Sequence, residues 1–495
     1  MAFQDNGPAR GVGEKSRFTS SGRSETGRRS GDILPVHQGD MNNISTATTP
    51  DINSNDVDGN PNRGRGGRLG RLAVRPEGQS GRNGFHPFKF LAITFRSASW
   101  ASRVVNILWP LVPAAIVVRY TLPDNYLAIW ILSYLAMIPC ANLVGFAGQE
   151  LARKAPHVLG VLTEITLGSI VEIVLFTVMI TRTNTDDVDY IQVIQAAILG
   201  SVLATMLLCL GLCFIAAGIK RDETHFSEVV SEAGNGLLLT AGFGLAIPTI
   251  FKHSLSSAID SKMLEDKVVS ISRSTAVLLM VAYFVFVYFQ ARTHHGIYDS
   301  VFEEDTERDE DKRRDHHQRR LTLTECIVGL AISIALVTII SISLVDQIPV
   351  LVRERHISDS FVGLILIPVV EKAAEHLTAV DEAWDNQMNF ALTHVLGATL
   401  QTAMFNGPLV VIIGWGLDKD MNLGFEVFDL AMLILAIITV GQFLRDQKSN
   451  YLEGILCVLV YVGIAVAASY YPSPHERLDH ATAGTGSSGG EGGGH

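Results

Sequence analysis

Glu164-Ile165-Thr166-Leu167-Gly168-Ser169-Ile170-Val171-Glu172 and Glu371-Lys372-Ala373-Ala374-Glu375-His376 are the two stretches on which the fold turns. Both lie inside long apolar runs, and both carry carboxylates at helical spacing. Glu164, Gly168 and Glu172 fall at i, i+4 and i+8, and Glu371 and Glu375 at i and i+4. Each set therefore lines one stripe of a helix. A carboxylate at mid-membrane costs about 2.5–3.5 kcal/mol on insertion scales. Such a group is expected to face a cavity, bind a cation or carry a proton.

The surrounding runs are long enough to cross a bilayer. Of 495 residues, 47% are hydrophobic, and the mean hydropathy is +0.26. The composition points to an all-α polytopic membrane protein whose first partner is the lipid bilayer. Spans are read near 104–118, 126–148, 157–181, 190–218, 234–251, 270–290, 323–345, 360–380, 389–417, 425–443 and 451–471. Proline inside several of them (Pro110, Pro113, Pro139, Pro248, Pro368, Pro408) fits membrane helices that bend or break. Eleven spans put the two ends of the chain on opposite sides. Arg153-Lys154, Lys220-Arg221 and the 291–322 loop favour a cytosolic N-terminus, and the 252–273 loop is an exception.

The formal net charge of −11 resides mostly in tails and loops. Residues 1–88 are rich in Gly, Ser, Asn, Pro and Arg, and are expected to form a disordered cytosolic tail. Its cluster Arg63, Arg65, Arg68 and Arg71 fits a solvated basic tail better than an RNA or anionic-lipid site, so no nucleic-acid partner is expected. Residues 100–290 form the first transmembrane half and 323–471 the second. Between them lies a charged cytosolic linker, 291–322, acidic from Glu303 to Asp311 and then basic, without the ligand spacing of an EF-hand loop. Residues 472–495 are expected to form a disordered C-terminal tail. Five cysteines form no CxxC pair and read as apolar fillers. No cleavable signal peptide is read, since the first apolar run starts near Val104.

The two halves echo each other. Leu199-Gly200-Ser201-Val202-Leu203-Ala204-Thr205-Met206-Leu207 resembles Leu396-Gly397-Ala398-Thr399-Leu400-Gln401-Thr402-Ala403-Met404, with leucine, glycine, leucine and threonine at the same offsets. Each copy follows a carboxylate stretch by one helix. With one N-terminal helix and five spans per repeat, the second copy enters the membrane the other way up. That is the inverted-repeat pattern of secondary transporters, whose site lies between the repeats near the midplane.

A divalent cation wants oxygen ligands. Glu172 and Glu375 can supply opposed carboxylates; Ser201, Thr205, Thr399, Thr402 and Gln401 can supply neutral oxygens. Such carboxylates would hold either protons or a cation, which is the minimum machinery of a cation/proton antiporter. No resident cofactor is expected.

These residues resemble the calcium/proton exchanger family, of the fungal vacuolar type, within the calcium/cation antiporter superfamily. The resemblance covers residues 100–471. Its motifs include Gly145-Phe146-Ala147-Gly148-Gln149-Glu150-Leu151, Leu199-Gly200-Ser201 and Arg273-Ser274-Thr275-Ala276. Phe361-Val362-Gly363-Leu364-Ile365-Leu366-Ile367-Pro368 leads to Ala373-Ala374-Glu375-His376, and Lys448-Ser449-Asn450-Tyr451-Leu452-Glu453-Gly454 precedes the last span. The resemblance implies an integral protein of the vacuolar membrane that loads calcium using the proton gradient. It also implies Glu172 and Glu375 as the carboxylates for transported Ca2+, with His376 beside them. This chain departs from the family at several positions. Ser169, Glu164 and Thr205 stand where the family has Asn. Glu371-Lys372 stands for Gly-Asn, and Gly397-Ala398-Thr399 for Gly-Ser-Ser, with Gln401 kept.

Lys372 is the sharpest departure. It falls at i, i+3 from Glu375, close enough to compete with the ion as a tethered cation. Alternatively, Glu371 and Lys372 form a buried pair that locks the helix. Glu164, Glu172, Glu371 and Glu375 still outnumber it, so the site stays anionic. Lys372-Ala373-Ala374-Glu375-His376 echoes an inverted zincin H-x-x-E-H, but a protonated lysine is no zinc ligand, and the chain is expected not to be an enzyme. Two further readings stand behind Ca2+/H+ exchange. One is antiport of Mn2+, Na+ or K+; the other is a non-transporting relative whose site Lys372 occupies.

Overall fold

The structure is a computed structural model, and it describes residues 80–96, 100–183, 190–310, 319–355 and 357–471. Most of the expected N-terminal tail, 1–79, and all of the C-terminal tail, 472–495, lie outside these residues.

In lipid every backbone polar group must find its partner within the chain, so apolar runs of this length become helices. Among the described residues nine helices are long and apolar enough to cross a membrane. A short helix, α1 (Pro87–Arg96), precedes them. The nine are α2 (Ser102–Thr121), α3 (Tyr126–Ala152), α4 (Val158–Arg182), α5 (Tyr190–Lys220), α6 (Glu228–Leu255), α7 (Ser261–Thr293), α9 (Leu323–Val352), α12 (Met388–Gly416) and α14 (Tyr451–Ser469). Between α7 and α9 lies α8 (His295–Arg308). The span expected near 360–380 is present as two helices, α10 (359–371) and α11 (Ala373–Trp384). The apolar helix α13 (Val427–Phe443) is shorter than the nine. Each of the eleven expected spans thus has a helical counterpart. A two-residue antiparallel ladder, β1 (Thr224–His225) on β2 (Lys448–Ser449), ties the loop after α5 to the loop before α14.

The sequence repeat is also a backbone repeat. In α4 the helix breaks at Ser169, with φ −73° and ψ −4°; α10 and α11 meet at Lys372, with φ −90° and ψ −2°. Each break lies three residues before a carboxylate, so Glu172 and Glu375 fall in the first turn of a half-helix. One helix later, each repeat carries a π-helical turn, Ala204–Cys209 in α5 and Thr402–Asn406 in α12. Such wide turns mark functional positions more often than ordinary helix. The fold is one N-terminal helix followed by two five-helix repeats of inverted topology.

The repeats clasp each other through their broken helices. The start of α10 packs on the first half of α5, α11 on its second half, and the second half of α4 on the end of α12. Glycine sets the closest approach. A Cβ on Gly363 would lie 2.6 Å from Ala196 Cβ and 2.8 Å from Val193 O, and one on Gly200 would run into Leu364 O.

Two expectations about the loops need correction. Residues 80–88 were expected in the disordered tail but are anchored. Arg82 donates to both oxygens of Glu325 at 3.2 Å, the His86 amide donates to Glu325 Oε1 at 3.2 Å, and Thr322 Oγ1 donates to Gly84 O at 2.7 Å. The Glu325 side chain is 0% exposed, and a buried carboxylate needs such a counter-charge. The linker was expected to be a charged segment without a core, yet α8 within it buries Tyr298, Phe302 and Asp305. Phe302 stacks on Phe390, with ring centroids 4.7 Å apart. Asp305 accepts from Asn389 N at 2.7 Å, Asn389 Nδ2 at 2.8 Å and Phe390 N at 3.1 Å, capping α12. Burial pushes its carboxyl up to about 6, against the lowering effect of those hydrogen bonds. Residues 311–318 of the linker lie outside the described residues.

Candidate functional site

The two carboxylate stretches meet. Lys372 Nζ lies 2.8 Å from Glu172 Oε2 and 3.1 Å from Glu375 Oε2, so one carboxylate from each repeat touches the same nitrogen. Neither contact is aligned as a hydrogen bond. The ammonium is held by charge in a low-dielectric interior, where such attraction is strong. The side chains of Lys372 and Glu172 are each 1% exposed, whereas that of Glu375 is 15% exposed.

Glu172 is further fixed by the other repeat. Thr402 Oγ1 donates to Glu172 Oε2 at 2.9 Å and Asn406 Nδ2 donates at 2.7 Å. Both donors belong to the π-turn Thr402–Asn406, which sets them one turn apart on the face turned to α4. Thr402 was expected to offer an oxygen; here it acts as a donor. Asn406 was missed. Its signal was an amide inside the apolar run 389–417, four residues after Thr402.

The other expected ligands differ in how far their polar atoms are already engaged. Glu371 is buried, and neither of its oxygens has a hydrogen-bond partner. Among the described residues, the ion pairs of Lys372 go to Glu172 and Glu375, not to Glu371, so the alternative of a Glu371–Lys372 lock is not the contact formed. Ser169, Ser201 and Gln401 are buried with their side-chain polar atoms unpartnered. Thr205 donates to Ser201 O at 2.9 Å and lies 3.5 Å from His376 Nε2. Thr399 donates to Val395 O at 2.7 Å, within its own helix. Among the described residues no three His, Cys, Asp or Glu side chains converge as a resident metal would need. The ammonium of Lys372 takes the point between the two facing carboxylates.

Glu164 joins a different cluster. His394 Nε2 lies 3.6 Å from Glu164 Oε2, and His394 Nδ1 lies 2.6 Å from Glu382 Oε2. The imidazole therefore bridges α4 of the first repeat and α11 of the second. His394 and Glu382 were not singled out in the sequence, although a histidine inside the apolar stretch of α12 was a visible anomaly. A cavity of about 30 Å3, room for a water or two, connects the clusters. Glu164, His394, Thr205, His376 and Glu375 line it, together with Gly168. A Cβ on Gly168 would lie 2.6 Å from Glu375 Oε1, so only glycine leaves that oxygen its place.

Chemically, the arrangement is a buried anionic site shared by two repeats, with a built-in cation and a small cavity lined by Glu375. It can hold a cation or protons and hand them toward the cavity.

Comparison with known proteins follows the same outline. Residues 125–292 and 326–470 match the sodium/calcium exchanger protein family. The chain is 32% identical over 373 residues to a vacuolar calcium ion transporter of Schizosaccharomyces pombe, covering 75% of this chain and 86% of that one. It is 31% identical over 379 residues to vacuolar cation/proton exchanger 5 of Arabidopsis thaliana, covering 76% and 83%. Among solved structures, native YfkE superposes with a TM-score of 0.59 at 22% identity, covering 74% of this chain and 100% of that one. The H+/Ca2+ exchanger CAX superposes with a TM-score of 0.56 at 11% identity, covering 78% and 92%. These two likenesses concern the fold alone.

Proposed function

This chain belongs to the sodium/calcium exchanger protein family, and on that premise we propose that it exchanges Ca2+ for H+ across the vacuolar membrane, loading the vacuole with calcium. As a member it is a secondary transporter of cations and not an enzyme. The reading rests above all on one observation: Glu172 and Glu375, one from each repeat, reach a single buried point. A cation bound there replaces the protons or the ammonium that otherwise balance the two carboxylates. Oxygens of Glu371, Ser169, Ser201 and Gln401 are the neighbours available to complete its shell. Glu164 and His394 then belong to the approach rather than to the ion's shell. The N-terminus is assigned to the cytosol by the placement of Lys and Arg. Residues 100–290 and 323–471 form the two transmembrane halves of the exchanger.

A second reading follows from Lys372. With the ammonium between Glu172 and Glu375, the pair keeps one net negative charge, which matches a monovalent cation. Vesicles containing the full chain, with an imposed pH gradient, separate the readings. Uptake of Ca2+ in preference to Mn2+, Na+ and K+ supports calcium exchange. Uptake of Na+ or K+ alone supports the second reading, and no uptake of any cation overturns both.

A further inference from the structure

Away from the carboxylates, a cavity of about 370 Å3 opens where α1, the end of α3 and the residues before α9 meet. Among the described residues its rim carries Lys89, Arg96, Arg153, Arg319 and Arg320 against a single carboxylate, Glu150. Glu150 is already engaged. It accepts from Leu321 N at 2.8 Å and Arg320 Nη1 at 3.3 Å, with Arg153 Nη1 3.8 Å away. Lys89, Arg96 and Arg319 are exposed and have no ion-pair partner among the described residues. The cavity therefore presents surplus positive charge over a partly apolar floor that includes Phe146 and Ile93.

Its position is fixed by the helices that frame it. The apolar helix α3 ends at Ala152 and α9 begins at Leu323, so the cavity lies where the membrane meets water. The short helix α1 is two-faced. Phe90 and Ile93 are buried in a cluster with Phe146, Leu321 and Cys326. Phe88, Leu91 and Phe95 are 88%, 62% and 60% exposed, at i, i+3 and i+7. A helix with such a stripe lies in the interface, its apolar face among acyl chains. The same short element thus offers a surface to hydrocarbon beside a pocket of cations.

We propose that this cavity binds the phosphorylated headgroup of an anionic phospholipid, whose acyl chains lie along Phe88, Leu91 and Phe95. Arginine and lysine at the rim match phosphate oxygens, arginine by paired N–H donors. Basic pockets between membrane helices recognise anionic headgroups in this way. A free soluble anion would use the cations but gain nothing from the apolar stripe, which favours the lipid. The site is separate from the transport carboxylates, and the identity of the transported ion does not bear on it.

The test uses the purified full chain in neutral detergent, titrated with short-chain phosphatidylinositol 4-phosphate and followed by native mass spectrometry. One bound lipid per chain is expected, and phosphatidylcholine should not replace it. The variant K89Q/R96Q/R319Q should bind about a hundredfold more weakly, each cation near the surface contributing about a factor of five. These side chains are exposed, so the fold should survive; R319Q alone, losing about fivefold, guards against a failure of the triple variant. The variant F88S/L91S should weaken the lipid but not soluble inositol phosphate. Equal binding by wild type and both charge variants overturns the proposal. So does soluble inositol phosphate binding as tightly as the lipid.

Discussion

Glu172 and Glu375 occupy equivalent places in the two repeats and live in different surroundings. Each stands three residues past a helix break, in the first turn of a half-helix. Glu172 is held by Thr402, Asn406 and Lys372, with its side chain 1% exposed. Glu375 has Lys372 as its ion-pair partner, no hydrogen-bond donor on either of its buried oxygens, and a place in the lining of a cavity. A symmetric backbone therefore carries an asymmetric pair: one carboxylate is fixed by two donors, and the other, without donors, lines a small cavity. On the proposed function the first positions the ion and the second exchanges it.

The largest effects should come from neutralising either carboxylate. Glu375→Gln and Glu172→Gln should each reduce proton-driven uptake into vesicles by about a hundredfold, the scale of losing one buried charged partner. The two should differ in stability. Glu172→Gln removes the nearer of the two carboxylates at the buried Lys372 ammonium and should lower stability by about 3 kcal/mol in thermal or denaturant unfolding. Glu375→Gln leaves Glu172, with its two donors, against the ammonium and should cost well under half of that. Full uptake in Glu375→Gln, or equal destabilisation by both, would break the division of roles.

Lys372 comes next, because it joins the two regions. Replacing it by Asn removes a charge that the incoming cation must displace from 2.8 Å and 3.1 Å. Lys372→Asn should raise apparent Ca2+ affinity in the uptake assay by about tenfold. Unchanged affinity would mean that the lysine is a fixed part of the scaffold and that the ion binds elsewhere in the cluster.

The broad outline of this asymmetry, but not its details, was legible in the chain. Hydropathy alone located the helical runs, because a bilayer leaves a long apolar stretch no other structure. Carboxylates at helical spacing marked both site helices, and the matched Leu199 and Leu396 stretches marked their partners. The reach of Lys372 to Glu375 was legible in their i, i+3 spacing, but its closer contact with Glu172 was not. Glu371 adjoins it in sequence, but successive helical residues diverge, and Glu172 reaches it only through packing of one repeat on the other. The same holds for His394, whose two carboxylates come from α4 and α11. Helix α8 was hidden by charge. Tyr298, Phe302 and Asp305 fall at i, i+4 and i+7 inside a segment that composition reads as solvated.

The finest test of the comparison uses the paired threonines. Thr205 and Thr402 occupy matching places in the repeated stretch, and both lie in or beside a π-turn. Thr402 gives its hydrogen to Glu172 at 2.9 Å, whereas Thr205 gives its hydrogen to Ser201 O at 2.9 Å. Thr402→Val preserves shape, removes one of two neutral donors on a buried carboxylate and leaves Asn406 in place. Hydrogen bonds to charged groups contribute about 1.5–3 kcal/mol, and the remaining donor should limit the loss to about fivefold in uptake at subsaturating cation. Thr205→Val removes a hydroxyl bonded to its own helix and should change uptake by less than about twofold. If the two variants lose activity equally, the repeats contribute alike, and the hydroxyl of Thr205 must reach the ion through His376 rather than rest on its helix.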